Sequence, residues 1–205
     1  MATFLLRHLR MLMLVAGWLL VSGDCADAAK FNRVLDIGQK APAWKDLAGT
    51  DDKSHSLADL KQAKAVVVVF MCNHCPVAKA YEKRLIQQAR KFRKSGVATV
   101  AISVSLFEAD NFAAMQKRAR EKKYPFPYLQ DESQKIGRAY GALCTPHVFL
   151  LDQKRRVAYM GSIDDSMYPE KVEEHYLQDA IEAVLRHQAV EIEETKPVGC
   201  PIDYR

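Results

Sequence analysis

The sequence predicts one domain of the α/β class, because strand-like and helix-like segments alternate along it without a long linker, an internal repeat or a low-complexity tract. Its 205 residues are 49% hydrophobic and 27% charged, which is the composition of an ordinary globular domain with a sizeable core. The domain is expected to span residues 29–205, because residues 1–28 have a different character.

Residues 1–28 have the composition of a signal peptide. Arg7 and Arg10 precede an apolar run over residues 11–21, and this run is too short to span a bilayer comfortably. We therefore predict an exported protein, periplasmic or secreted, that keeps no stable membrane span after cleavage. A retained N-terminal membrane anchor is the alternative.

Small residues mark the predicted cleavage site. The tripeptide Ala26-Asp27-Ala28 fits the A-x-A pattern, so we expect cleavage after Ala28 and the loss of Cys25 with the signal. A lipoprotein with a lipidated Cys25 is a less favoured alternative, because Asp24 is a poor residue directly before such a cysteine.

The formal net charge of +5 is only mildly basic, and removal of two basic and two acidic side chains with residues 1–28 leaves it unchanged. The densest basic cluster is interleaved with apolar residues at helical spacing, which predicts the solvated face of an amphipathic helix. Its basic members are Lys117, Arg118, Arg120, Lys122 and Lys123. No nucleic-acid-binding motif accompanies this charge, so no nucleic-acid partner is expected.

Periodicity predicts the individual elements. A β-branched and aromatic run over residues 66–70 predicts a central strand buried on both faces. Apolar residues recurring every three or four positions predict a helix over residues 76–94, which ends at Ser95-Gly96. The other predicted elements are two short extended pieces within 46–55, a buried strand over 97–106, a helix over 109–122, an extended piece over 126–129, a short helix over 133–140, a hairpin of 147–151 and 156–160, and a last helix within 168–187.

Four cysteines remain after export, and two of them form a C-x-x-C motif. They are Cys72, Cys75, Cys144 and Cys200. An even number suggests disulfides in an oxidising compartment, and the C-x-x-C spacing suggests redox chemistry or half of a metal site. Because the motif lies between a buried strand and a helix, redox chemistry is the favoured interpretation.

The position of Pro76 indicates which cysteine is reactive. A helix N-terminus stabilises an anion through unpaired N–H groups and a partial positive charge, and the thiolate is the attacking form of cysteine. Proline is favoured at the first helical position, so Pro76 makes Cys75 the N-cap; with Cys72 as the N-cap, the proline would fall where its ring and missing N–H are costly. We predict Cys75 as the reactive thiolate and Cys72 as its partner. The opposite assignment remains open.

His74 lies between the two cysteines and has two interpretations. An imidazole there can stabilise the thiolate, which favours the reduced state and makes the disulfide more oxidising. It can also be an exposed loop residue. A zinc site would need a second close pair of ligands, whereas copper delivery by Cys72, His74 and Cys75 remains an alternative. We expect no resident cofactor.

Four segments resemble a known superfamily. They are IGQKAPAW at 37–44, FMCNHCP at 70–76, YGALCTPHVF at 140–149 and TKPVGC at 195–200. Together they resemble the thioredoxin-like superfamily, in particular its redoxin branch related to alkyl hydroperoxide reductase and thiol-specific antioxidant proteins, and within it a peroxiredoxin-like subgroup with a C-x-x-C motif. The resemblance implies a thioredoxin-like fold, with a central mixed β-sheet flanked by helices.

The peroxiredoxin pattern fits this chain only in part. Aligned from Phe70, it places its peroxide-attacking cysteine at Cys75. Its threonine, proline and arginine would fall on Cys72, Val68 and Pro146. Peroxide reduction needs donors that polarise the O–O bond, so efficient peroxidase activity is not expected, although a peroxidase using Cys75 remains the runner-up.

Thr145-Pro146 instead resembles the part of thioredoxins in which a cis-proline faces the active-site cysteines and the preceding residue offers backbone hydrogen bonds to an extended substrate. A trans-proline that starts a strand is the alternative. The same resemblance places Cys144 near the site, while Cys200 lies in a tail long enough to fold back. We hypothesise a structural Cys144–Cys200 disulfide that pins the tail; the alternative is that one of these cysteines is a third redox thiol that resolves a disulfide of Cys75.

These observations predict a thiol–disulfide oxidoreductase that acts through Cys72 and Cys75. Its partners are expected to be protein or small-molecule thiols and disulfides, together with an electron donor whose identity stays open. A metal-binding or delivery module using Cys72, His74 and Cys75 is the third hypothesis.

Overall fold

The computed structural model describes residues 29–205, and a seven-stranded mixed sheet lies at its centre. The strands in this part of the chain are β1 (Leu47–Gly49), β2 (Ser54–His55), β3 (Ala65–Phe70), β4 (Val97–Ser103), β5 (Tyr128–Gln130), β6 (Cys144–Thr145), β7 (His147–Leu151), β8 (Val157–Gly161) and β9 (Cys200–Pro201). The order across the central sheet is β2-β1-β5-β4-β3-β7-β8, and β6 pairs with β9 in a separate two-stranded sheet. The predicted signal peptide, residues 1–28, lies outside the described residues.

Strand directions follow the thioredoxin-like arrangement implied by the resemblance. β3 pairs in parallel with β4, and β4 with β5, while β7 and β8 continue the sheet in antiparallel pairs. The prediction of a central mixed sheet flanked by helices is therefore confirmed. The helices are α1 (Pro76–Arg93), α2 (Phe112–Lys122), α3 (Lys135–Tyr140) and α4 (Tyr176–Leu185).

The two faces of β3 contribute to two apolar clusters. Val67 and Val69 pack in the cluster that contains the buried faces of α1 and α4. Val66, Val68 and Phe70 pack in the other cluster, which also contains Trp44 from the segment before β1 and Tyr140 from α3. All six residues of β3 are buried, and each fully buried valine contributes about 1.5–3 kcal/mol of hydrophobic free energy. The last residue of β3 and the first residue of α1 therefore have well-fixed positions. None of the helices within residues 29–205 has the length and apolarity that a membrane span requires.

The region after β4 differs from the prediction. The strand ends at Ser103 instead of residue 106, and α2 begins at Phe112 instead of residue 109. Asn111 caps α2, because its side-chain oxygen accepts a hydrogen bond from the Ala114 N–H at 2.9 Å. Residues Glu108–Asp110 form a separate 3-10 turn, which directs Asp110 away from α2 toward the C-x-x-C loop.

Candidate functional site

The C-x-x-C motif spans the junction between β3 and α1. Cys75 is the N-cap residue of α1, the position predicted from Pro76, and its sulfur accepts a hydrogen bond from the Ala78 N–H at 3.4 Å. Pro76 occupies the first helical position, where an N–H would have no intrahelical partner. The Cys75 sulfur therefore lies at the positive end of an 18-residue helix.

Thr145 contacts both cysteines of the motif. The Thr145–Pro146 peptide bond is cis, as the resemblance implies. The Cys75 thiol donates a hydrogen bond to the Thr145 carbonyl oxygen at 3.0 Å, and the Thr145 hydroxyl oxygen lies 3.3 Å from the Cys72 sulfur. The structure thus brings Cys72, Cys75, Thr145 and Pro146 together at one site.

The surroundings shift the pKa values of the two thiols of the motif in opposite directions. The pKa of Cys75 is lowered, chiefly by a hydrogen bond with Cys72 and further by contacts with Cys200, Thr145 and the Ala78 amide, while burial opposes this shift. The pKa of Cys72 is raised, chiefly by the same hydrogen bond and then by burial. Both shifts favour Cys75 over Cys72 as the thiolate of the pair.

Cys200 lies beside Cys75. Its sulfur is 2.8 Å from the Cys75 sulfur, although the two are 125 positions apart in the sequence. Burial raises the pKa of Cys200, and its contact with Cys75 raises it further. Both effects favour the protonated form of Cys200.

Cys144 projects away from Cys200. In the β6–β9 pair, Thr145 is opposite Cys200 and Cys144 is opposite Pro201, and successive residues of a strand face opposite sides. The Cys144 sulfur lies 3.8 Å from the Pro146 carbonyl oxygen, and burial raises the pKa of Cys144 to about 12. All four cysteines within residues 29–205 are free thiols. The Cys144–Cys200 disulfide stays a prediction, whereas the contact of Cys200 with Cys75 favours the alternative of a third redox thiol.

Asp110 fixes the loop between the two cysteines. Its side chain is fully buried and accepts hydrogen bonds from the N–H groups of Asn73, at 2.5 Å, and His74, at 3.1 Å. The Ser105 hydroxyl donates to the same carboxylate at 2.6 Å. Four donors including the His74 ring surround this one carboxylate, and these hydrogen bonds order the loop.

His74 faces Asp110. Its Nδ1 atom is hydrogen-bonded to the carboxylate, and its ring packs edge-on against Phe107 with 4.9 Å between the ring centroids. The side chain is 38% exposed, which agrees with the loop interpretation in part. The proposed effect of His74 on the thiolate stays a prediction.

Sequence reasoning missed Asp110 and Ser105. Asp110 was expected inside a helix, and Ser105 inside a strand. The available signal was Asn111, a favoured N-cap residue that would have started the helix later and left Asp110 in a turn. Asp110 also belongs to a group of three residues that could hold a metal ion. Cys72, His74 and Asp110 each offer one ligand atom, and these atoms lie within 4.8 Å of one another.

A small groove with a volume of about 20 Å³ lies beside Cys72. One wall is apolar, because Leu106 and Phe107 are 41% and 49% exposed there. The C-terminal residues Ile202 and Arg205 line the other wall. Cys72 is 3% exposed and Cys75 is fully buried, and of these two cysteines it is Cys72 that lines the groove.

The fold and this site define the chain as a thioredoxin-fold protein of the redoxin class. The chain belongs to the AhpC/TSA family, whose sequence profile matches residues 37–160. The resemblance to redoxins is thereby confirmed, and membership of the family supports an oxidoreductase activity in general terms. No curated protein sequence matches the chain.

Several solved structures are similar to the chain. An uncharacterized conserved protein from Geobacillus kaustophilus is 32% identical, with 85% of this chain and 95% of the other covered and a TM-score of 0.78. A hypothetical protein from Sinorhizobium meliloti 1021 is 30% identical, with 85% and 97% covered and a TM-score of 0.77. A protein from Chlorobium tepidum assigned as the thiol:disulfide interchange protein DsbE is 25% identical, with 74% and 99% covered and a TM-score of 0.61.

Proposed function

We propose that this protein is a thiol–disulfide oxidoreductase in which Cys75 is the nucleophile and Cys72 resolves the mixed disulfide. The observation that carries the proposal is the position of the Cys75 sulfur, which caps α1, contacts Thr145 beside the cis-proline, and has a lowered pKa. The likeness to the protein assigned as DsbE, whose name is thiol:disulfide interchange protein, supports the same activity.

In the reducing direction the cycle has two exchange steps. The Cys75 thiolate attacks one sulfur of a substrate disulfide, forms a mixed disulfide, and releases the other substrate sulfur as a thiolate that takes up a proton. Cys72 then loses its proton and attacks the Cys75 sulfur, which releases the second substrate thiol and leaves a Cys72–Cys75 disulfide. Two electrons pass from the pair to the substrate, and a dithiol donor restores the pair.

The reverse cycle oxidises substrate thiols. Each contact that stabilises the Cys75 thiolate favours the reduced protein, so it raises the reduction potential of the pair. Protein or small-molecule thiols and disulfides are therefore the proposed partners in either direction.

The test is turnover of a disulfide substrate by purified variants. We expect reduction of oxidised glutathione with dithiothreitol as the donor, with the activity abolished in Cys75→Ser and retained in Cys144→Ser, the matched control. In Cys72→Ser, one addition of oxidised glutathione is expected to oxidise Cys75 to a disulfide that Cys72 can no longer resolve. Loss of all reactivity in Cys72→Ser, with a mixed disulfide formed on Cys72 in Cys75→Ser, would reverse the two roles.

Hydrogen peroxide is the alternative substrate for the same thiolate. Cys72 and Pro146 occupy the positions where the peroxiredoxin pattern has its threonine and arginine. The site therefore lacks the two side chains that would polarise the O–O bond, which argues against efficient peroxide reduction. Adding hydrogen peroxide to the reduced protein separates the two: fast oxidation of Cys75 by peroxide with slow oxidation by disulfides would favour the peroxidase.

Metal binding is a second candidate function, with a ligand set that differs from the predicted one. Asp110 takes the place of Cys75 beside Cys72 and His74 in the cluster that the geometry favours. The Asp110 carboxylate already accepts four hydrogen bonds, so we rank this function below thiol exchange. A stoichiometric metal ion in protein purified without chelators, lost in Asp110→Asn and kept in Cys75→Ser, would support it.

Export is part of the proposal, and it rests on the sequence of residues 1–28 alone. Mass spectrometry of the protein from its native host tests it. An N-terminus at Ala29 is expected, and a chain that retains residues 11–21 would instead indicate the membrane anchor.

A further inference from the structure

The thiolate of the proposed mechanism is covered by the protein's own C-terminal segment. The Cys75 side chain is completely buried, and the sulfur of Cys200 is in contact with its sulfur. A reactive sulfur that exchanges with external disulfides needs an open side. The segment that closes this side therefore requires an explanation.

The covering segment is paired as a strand with the residue that precedes the cis-proline. β9 pairs antiparallel with β6, with Cys200 opposite Thr145. Gly199 allows the close approach, because a Cβ atom on this residue would lie 2.1 Å from the Thr145 carbonyl oxygen. Strand addition of this kind is how an extended polypeptide binds an exposed sheet edge.

Further contacts hold the residues after β9. The Ile202 N–H donates to the Leu143 carbonyl oxygen at 3.0 Å, and the Tyr204 hydroxyl donates to the Ala142 carbonyl oxygen at 2.8 Å. The Tyr204 ring also lies under the guanidinium of Arg138 at 4.6 Å. The segment is thus anchored along its length, and Cys200 has a fixed position next to Cys75.

We propose that residues 199–201 occupy the place of an extended polypeptide substrate on β6, and that Cys200 is a third redox thiol that forms a reversible disulfide with Cys75. The proposal rests on the proposed function, since it requires Cys75 to be the reactive thiol. It also assigns the substrate class: an extended polypeptide segment that presents a cysteine sulfur to Cys75 where Cys200 now lies.

The exchange balances without an external oxidant. Starting from the Cys72–Cys75 disulfide, the Cys200 thiol gives its proton to solvent and its sulfur attacks the Cys75 sulfur. The bond between Cys72 and Cys75 breaks, and Cys72 leaves as a thiolate that takes up a proton. One disulfide and one thiol are present before and after, and the freed thiol is Cys72, which lines the small groove.

The test follows the fate of a mixed disulfide on Cys75. The purified Cys72→Ser protein is treated with about 1 mM oxidised glutathione and mapped by mass spectrometry under non-reducing conditions. We expect the Cys75–Cys200 linked peptide to exceed glutathionylated Cys75 by about tenfold, because a thiol held beside the reacting sulfur acts at a high effective concentration. In this reaction Cys200 displaces glutathione from Cys75.

The double variant Cys72→Ser/Cys200→Ser separates the two proposals. It should keep glutathione on Cys75, and Cys72→Ser/Cys144→Ser, the matched control, should form the Cys75–Cys200 disulfide like Cys72→Ser. Equal glutathionylation of Cys75 with and without Cys200 overturns the third-thiol inference alone. Absence of glutathione from Cys75 in every variant overturns the proposed function and the inference with it.

A second variant tests the strand without changing a cysteine. Gly199→Ala places a methyl group against the Thr145 carbonyl oxygen, so β9 has to shift. In the Cys72→Ser background, we expect Gly199→Ala to reduce the yield of the Cys75–Cys200 disulfide and to increase glutathionylation of Cys75. An unchanged yield would contradict the role assigned to the strand.

Discussion

His74 is bound to Asp110 twice, once through its backbone N–H and once through Nδ1 of its ring. The two residues are 36 positions apart, so the geometry of the C-x-x-C loop depends on the turn before α2. Because the Asn73 N–H bonds to the same carboxylate, Asp110 orders both residues between the cysteines. This contact fixes the loop that joins Cys72 and Cys75.

Replacement of Asp110 by asparagine should loosen the loop. The amide places donors where the backbone N–H groups of Asn73 and His74 need acceptors, so we expect the free energy of unfolding to fall by about 3 kcal/mol. Urea unfolding measures this loss. Glu132→Gln, at an exposed position, is the control and should leave the free energy of unfolding unchanged.

The same variant should lower the pKa of Cys72. This pKa is raised chiefly by the hydrogen bond with Cys75 and by burial, and the negative charge of Asp110 raises it further. Removing a nearby negative charge favours the thiolate, so a partial decrease is expected. Alkylation of Cys72 followed against pH measures the shift, and a rise would contradict this account.

Removal of the Cys72 thiol should raise the pKa of Cys75. The hydrogen bond with Cys72 is the largest cause of the lowered pKa of Cys75, whereas burial acts in the opposite direction and raises it. Cys72→Ala removes the hydrogen bond and keeps the burial, so the pKa of Cys75 should increase. The expected result is a shift of Cys75 alkylation to higher pH. Cys144→Ala is the control, and an equal shift in both variants would show that the hydrogen bond with Cys72 is not the cause.

His147 should make the fold sensitive to acid. Burial lowers the pKa of His147 from 6.5 to about 3, and the Leu143 N–H donates to its Nδ1 atom at 3.2 Å. Below its unfolded pKa the unfolded chain takes up a proton that the folded chain excludes, so stability falls as the pH decreases from 6.5 toward 3. This one residue accounts for a loss of about 2 kcal/mol at about pH 5.

His147→Asn tests this effect, because asparagine can keep an acceptor near the position of Nδ1 and does not titrate. The decrease in the free energy of unfolding between neutral and acidic pH should be smaller in this variant than in the native protein. His175→Asn, at an exposed position, should keep the native decrease. Identical pH profiles for His147→Asn and the native protein would exclude the buried histidine as the cause.

Gln134 should control access to the buried thiolate. Its side chain is 2% exposed and bonds to two residues of the C-terminal segment, donating to the Asp203 carbonyl oxygen and accepting from the Arg205 N–H, each at 2.8 Å. Gln134→Ala removes these hydrogen bonds, so the C-terminal segment should detach more often from the site. A loss of about 1 kcal/mol of binding free energy corresponds to a reaction of Cys75 with a disulfide reagent that is about fivefold faster.

The control for this variant is Gln116→Ala, which removes an exposed hydrogen bond to Asp52 far along the chain from the C-terminal segment. Stopped-flow kinetics of the reduced proteins measures both rates. Equal rates for Gln134→Ala and the native protein would mean that the C-terminal segment does not limit access to Cys75.

The sequence was sufficient for features with local causes. The buried strand β3 follows from its uninterrupted apolar residues, and the start of α1 follows from the fixed backbone angle of Pro76. The resemblance of short motifs was sufficient for the fold and the family, because it combined segments that lie far apart in the chain.

Features with long-range causes escaped sequence reasoning. The pairing of β9 with β6 involves two residues on each side, which is too short for any periodicity to indicate. The contact of Cys200 with Cys75 instead of Cys144 depends on the register of this pair, and a shift by one residue would reverse it. Asp110 belongs to the same category, because its partners are in another loop.

The contact between Cys75 and Cys200 also has a consequence for the order of folding. It joins residues 125 positions apart, and closing so long a loop is slower than forming α1 or the hairpin of β7 and β8. On a ribosome, Cys75 emerges long before Cys200 does. The nascent chain therefore carries an uncovered Cys75 until the segment that contains Cys200 has been synthesised.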